Sequence, residues 1–175
     1  MGTQQKRRSK NIIIWRDSVA AGDDIYPRHE KRIKMESGET VESMLEKIPA
    51  NKETFRYAPG KWMLKEVIGH LCDTERILTY RALCFARNDK TSFPGFDENE
   101  YVANSNFKNR TMQSIGIEYL IVREASLALF NSLDETDFDR IGMANQTNTS
   151  ARHMLYFCIV HQRHHFNIIR ERYYK

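Results

Sequence analysis

The chain has 175 residues, 41% hydrophobic and 29% charged, the balance of one soluble globular domain with a sizeable core. Its apolar runs, such as residues 12–15 and 154–160, fall far short of the ~20 residues that a bilayer span requires, and the first is too short for a signal-peptide core. The formal net charge is +4, carried by Lys6, Arg7, Arg8 and Lys10; without them 23 basic residues face 23 acidic ones, so the body has no charge bias toward nucleic acid.

In chain order, residues 1–24 read as a flexible basic tail, and residues 25–175 as a single helical domain. A first helix is expected over about residues 26–46, poorly patterned, with Ile33, Met35, Val41, Met44 and Leu45 as apolar positions and Gly38 interrupting it. Residues 55–62 form a turn, because Pro59-Gly60 breaks any helix before it and Trp62 can anchor the next element. The second helix spans about residues 63–87, with Leu64, Val67, Ile68, Leu71, Ile77, Leu78, Leu83 and Phe85 near helical spacing.

After Asn88-Asp89 the periodicity collapses into a long loop over residues 91–101, rich in turn residues and aromatics and too long for a mere connector. A third helix follows over about residues 111–133, then a loop or short hairpin over residues 134–147. Thr149 or Ser150 caps a fourth helix that runs to about residue 173. The expectation is an all-α four-helix bundle with a long loop between helices 2 and 3. Cys72, Cys84 and Cys158 all lie in apolar helical patterns and read as buried free thiols of a reducing compartment, which places the protein in the cytoplasm.

Three histidines lie within these apolar patterns. His161 and His165 are four residues apart, so both imidazoles sit on one face of the fourth helix and can converge on one ion, with His70 of the second helix as a third ligand. Three neutral nitrogen ligands with an open position describe catalytic zinc; nickel, manganese and iron fit the same ligand type. The bland alternative has each histidine hydrogen-bonded separately in or near the core. His164, three residues after His161, points broadly the same way, and helical angle does not separate the pair 161/164 from 161/165. His29 and His153 read as surface or cap residues.

Asp73, one turn after His70, is the candidate catalytic residue, as acceptor for a ligand imidazole or as general base; its alternative is a carboxylate paired with Arg76 or Arg81. Glu75 falls on a different face and reads as solvated. Phe93, Phe96 and Tyr101 of the long loop are placed either as a roof over the metal or as simple loop packing. No Gly-rich phosphate loop, cysteine pair of metal-ligand spacing or serine nucleophile elbow is present.

Four stretches, residues 57–62, 65–76, 94–104 and 161–170, carry a resemblance to a known family. The Gly-His-Leu-Cys-Asp-Thr-Glu segment of residues 69–75, combined with His-Gln-Arg-His-His at 161–165, resembles the DinB/YfiT-like superfamily of metal-binding four-helix bundles. The resemblance implies one divalent metal held by a histidine of the second helix and two, four apart, of the last, here His70, His161 and His165. It also implies a small-molecule substrate and an enzyme of the thiol-dependent S-transferase or hydrolase kind, with a low-molecular-weight thiol as cosubstrate in the first case. A homodimer through exposed helix faces is expected, and the competing class is a non-catalytic metal-binding bundle. The first helix, short of leucine and broken by Gly38, departs from the family pattern.

Overall fold

The computed structural model describes residues 40–174. The basic tail of residues 1–24 and the part of the first expected helix over residues 26–39 lie outside the described residues. Within them that helix reduces to α1, Val41–Glu46. Thr40 is extended, and its side chain accepts from the Ser43 N–H at 3.1 Å, so the helix has a capped start within the expected span, two residues after Gly38.

Three long helices form the body: α2 (Leu64–Ala86), α4 (Met112–Asn131) and α6 (Ala151–Ile168). Each lies within a few residues of the span read from periodicity, because their buried positions recur at helical spacing. Glu66 closes the start of α2 by accepting from the Met63 N–H at 2.7 Å. Thr111 caps α4 and Ser150 caps α6 through side chains that accept from Ser114 and His153 N–H groups. Just before α2, Gly60 has φ +74, the left-handed conformation that the Pro-Gly turn requires.

Two layers of core show how the helices run. One joins the start of α2 (Leu64, Ile68, Leu71) to the start of α4 (Ile115, Tyr119) and the end of α6 (Phe166). The other joins the end of α2 (Leu78, Ala82, Phe85) to the end of α4 (Phe130) and the start of α6 (Met154, Leu155). Helices α2 and α4 are therefore parallel, and α6 runs antiparallel to both. Two consecutive parallel helices need a connection that travels back the length of the first, roughly 35 Å for a helix of this size. The segment between them is long for that reason.

That return segment has structure of its own. It contains the short strand β1 (Ser92–Phe93), helix α3 (Glu98–Asn104) and a 3-10 turn over Phe107–Asn109. Part of the expected loop is thus helical: Asp97 accepts from the Asn99 and Glu100 N–H groups at 2.8 and 3.1 Å. Among α3 positions only Val102 is buried, which leaves no periodicity to read. The 3-10 turn seats Phe107 against Gly69, where a Cβ would run into the ring.

Between α4 and α6 lie a one-turn helix, α5 (Glu135–Asp139), and a hairpin of β2 (Ile141–Ala144) and β3 (Thr147–Ser150). Its two-residue turn holds Asn145 and Gln146 at φ 50 and 61, the primed geometry that matches strand twist. Strand β1 pairs parallel with β2, and β2 antiparallel with β3. Gly142 lies directly against the Phe85 ring. No helix among the described residues is long and apolar enough to cross a membrane.

Candidate metal centre

His70 stands in the second turn of α2 on the face that meets α6, and is 5% exposed. Its Nε2 lies 3.1 Å from His161 Nε2, which lies 3.1 Å from His165 Nε2. The ligand atoms of all three rings are within 4.8 Å of one another. The antiparallel run of α2 and α6 creates this convergence by facing the start of one helix with the end of the other. His164, exposed, is outside the cluster, although its ring packs edge-on against His165 at 5.1 Å. His153 is exposed, and His29 lies outside the described residues.

Hydrogen bonding alone does not account for this arrangement. A neutral imidazole nitrogen carries either a proton or a lone pair, so His161 Nε2 cannot be well paired with two neighbours at once. Protonation is no remedy. Burial, reinforced by the neighbouring imidazoles, lowers the pKa of His70 and of His161 to about 4 and that of His165 to about 3. One divalent cation at the focus would satisfy all three rings. Nitrogen ligands held at about 2.0–2.1 Å stand roughly 2.8–3.4 Å apart in octahedral to tetrahedral geometry; the two separations from His161 Nε2, 3.1 Å each, fall in that range, and the set as a whole lies within 4.8 Å. The residues fit the ion.

Aromatic side chains hold the cluster in place. Trp62 packs on His70 at 4.8 Å between centroids, and Phe157 stacks on His161 at 5.9 Å. Beyond His165, α6 widens into a π-helical turn over Ile169–Tyr173. This brings the Tyr173 hydroxyl within 2.8 Å of the Trp62 carbonyl, to which it donates. The last turn of the chain thereby fixes the segment that covers His70.

The partner of His70 Nδ1 is Thr74, whose hydroxyl lies 3.4 Å away. Its i+4 spacing from His70 is visible in the sequence, and Thr74, not Asp73, is the neighbour that meets this nitrogen. The Asp73 carboxylate lies 3.7 Å from Arg76, whose closer partner is Glu118 at 2.6 Å. Burial raises the pKa of Asp73. Arg81 does not pair with it and donates instead to the Pro94 carbonyl at 2.6 Å.

Two expectations are overturned. Glu75 is not solvated: it is 3% exposed and held by Arg123 of α4 through two bonds, Nε to Oε1 at 2.8 Å and Nη2 to Oε2 at 2.6 Å. Its direction on α2 points to α4, a neighbour that helical angle alone does not supply. The aromatic loop does not roof the histidines either. Phe93, Phe96 and Tyr101 line a separate pocket with Ile77 and Arg81, two to three turns further along α2, where the return segment crosses the helix.

Two of the chain's thiols, Cys72 and Cys158, are poor nucleophiles. Cys72, Cys84 and Cys158 are free and buried; burial pushes Cys72 up to about 12 and Cys158 further up.

Comparison with known proteins finds similarity to a family and to solved structures. The family described as the DinB superfamily matches residues 36–169. A solved structure described as "YfiT from Bacillus subtilis is a probable metal-dependent hydrolase with an unusual four-helix bundle topology" is similar with a TM-score of 0.67 and 17% identity, covering 75% of this chain and 76% of that one. At that identity the likeness shows the shared fold. No curated protein sequence matches significantly.

Proposed function

The chain belongs to the DinB superfamily and has its four-helix-bundle fold; from that premise we propose that it is a metal-dependent enzyme acting on a small-molecule substrate through His70, His161 and His165. The observation that carries the reading is the convergence of three Nε2 atoms that no arrangement of protons satisfies. Bound there, zinc or nickel, or else manganese or iron, would supply Lewis-acid activation of a water or of an added low-molecular-weight thiol.

The protein's part is to present three neutral imidazoles, orient His70 through Thr74, and shield the cluster with Trp62 and Phe157. With all three cysteines buried, and burial raising the thiol pKa of Cys72 and Cys158, the nucleophile comes from outside the chain. This suits an S-transferase with a thiol cosubstrate as well as a hydrolase. The neighbour's description as a probable metal-dependent hydrolase supports the second. Asp73, one turn from His70, is assigned the proton acceptor. A cytoplasmic location and a homodimer complete the reading.

Elemental analysis of purified protein should give close to one divalent ion per chain. His161→Ala and His165→Ala should lose it while helical circular dichroism is retained. If the triple alanine variant holds as much metal as the parent chain, the reading fails. Assays of metal-loaded protein with model electrophiles, with and without thiols, separate transferase from hydrolase. Asp73→Asn should lower turnover at unchanged metal content. Full metal occupancy without turnover would leave a metal-binding bundle.

A further inference from the structure

The pocket beside the return segment has a volume of about 300 Å³, at the lower end of the range for small-molecule sites. Its walls are two packed aromatic pairs, Tyr80 with Phe93 at 5.6 Å and Phe96 with Tyr101 at 5.0 Å. Tyr80 and Tyr101 are exposed at its rim, so the aromatic surface is open to a ligand.

Arg81 lies in this pocket and is 9% exposed. A buried guanidinium ordinarily sits against a carboxylate, as Arg123 does with Glu75. No carboxylate among the described residues pairs with Arg81. Its Nη2 donates to the Pro94 carbonyl at 2.6 Å, and its guanidinium lies 6.0 Å from the Phe96 ring centre. Burial lowers its pKa, the direction expected of a cation short of a counter-charge. Arg76, at the same pocket, is already neutralised by Glu118, and no acidic residue among the described residues lines the walls. Among the described residues the pocket's uncompensated charge is that of Arg81, it is held in place from one side, and its remaining donors form a planar fork suited to a carboxylate.

We propose that this pocket is a binding site for an aryl or arylalkyl carboxylate, with the acid group on Arg81 and the ring between the Tyr80–Phe93 and Phe96–Tyr101 pairs. The site stands apart from the histidine cluster, since Ile77 and Arg81 follow His70 by roughly 10 and 16 Å along α2. Its occupancy therefore does not depend on the metal reading.

The test is a titration of the full-length protein with 4-phenylbutyrate and with its neutral amide, followed by backbone amide NMR shifts. A ligand of that size in a fitting pocket should bind with a Kd of about 1 mM. The shifts should concentrate at Tyr80, Phe93, Phe96 and Tyr101. The amide should bind about tenfold more weakly, the difference that a charge-assisted pair makes. Arg81→Met should bring the carboxylate down to the affinity of the amide, and Arg81→Lys should fall between. If Arg81→Met fails to fold, Tyr101→Ala on the opposite wall should weaken both ligands. Equal affinity for acid and amide, shifts mapping elsewhere, or an unchanged Kd in Arg81→Met would each overturn the proposal. So would loss of binding in His161→Ala, because the carboxylate would then be sitting at the histidines.

Discussion

Two polar clusters are buried in the same bundle, little more than a turn apart on α2, and they are built on opposite principles. Around Glu75 the charges are opposite and the donors matched: Arg123 makes two short bonds to the carboxylate and a third, at 3.3 Å, to the Tyr119 hydroxyl. That hydroxyl donates to Gln162 at 3.4 Å, so the set ties α2, α4 and α6 together. Around His70 the three groups are alike and neutral, and no choice of tautomers pairs His161 Nε2 well with both of its neighbours. A buried polar cluster that satisfies itself reads as a structural tie, and one that does not reads as a site awaiting a ligand.

The strongest way to break this contrast is Arg123→Ala. It leaves the Glu75 carboxylate buried without a partner, and stability in urea should fall by about 3–5 kcal/mol. The double variant Glu75→Leu, Arg123→Leu should lose far less, because both charges go together. A deficit in the double variant as large as in the single one would show that packing, not charge, holds this level of the bundle.

Acid should act next, and on the histidine cluster. The folded pKa of His70, about 4, lies below the ordinary value of 6.5, so the unfolded chain takes up its proton first as pH falls. The metal-free protein should therefore keep the contribution of this histidine above about pH 6.5 and lose it progressively toward pH 4. The loss is on the order of 2 kcal/mol for one such group by pH 4.5. Urea midpoints across this range should show a shallower slope in a variant with all three histidines replaced by alanine.

The smallest effect sharpens the comparison. In metal-free protein at pH 8, His161→Ala should change stability by no more than about 1 kcal/mol, since no well-satisfied hydrogen bond is lost. If it destabilises as much as Arg123→Ala, the histidines form a structural tie of their own.

How much of this was legible in the sequence depends on distance along the chain. The spans of α2, α4 and α6, a cap at Thr149 or Ser150 that the structure gives to Ser150, and the shared face of His161 and His165 follow from local periodicity and local hydrogen bonding. Helix α3 was hidden because it buries only Val102. α5 was hidden because it is a single turn whose one buried residue is Phe138. Thr74 was within reach of an i+4 reading; Glu75 and Arg81 were not, because their surroundings come from α4 and the return segment.

Helical spacing and the family motif, both local, therefore determined by themselves which residues form helices, which histidines share a face, and which family the chain resembles. The tertiary structure decided the rest, because it depends on the direction in which each helix runs. The antiparallel pairing of α2 and α6 sets His70 against the other two histidines. The parallel run of α2 and α4 gives Glu75 its arginine and forces the long return segment that places an aromatic pocket around Arg81, which meets no carboxylate among the described residues.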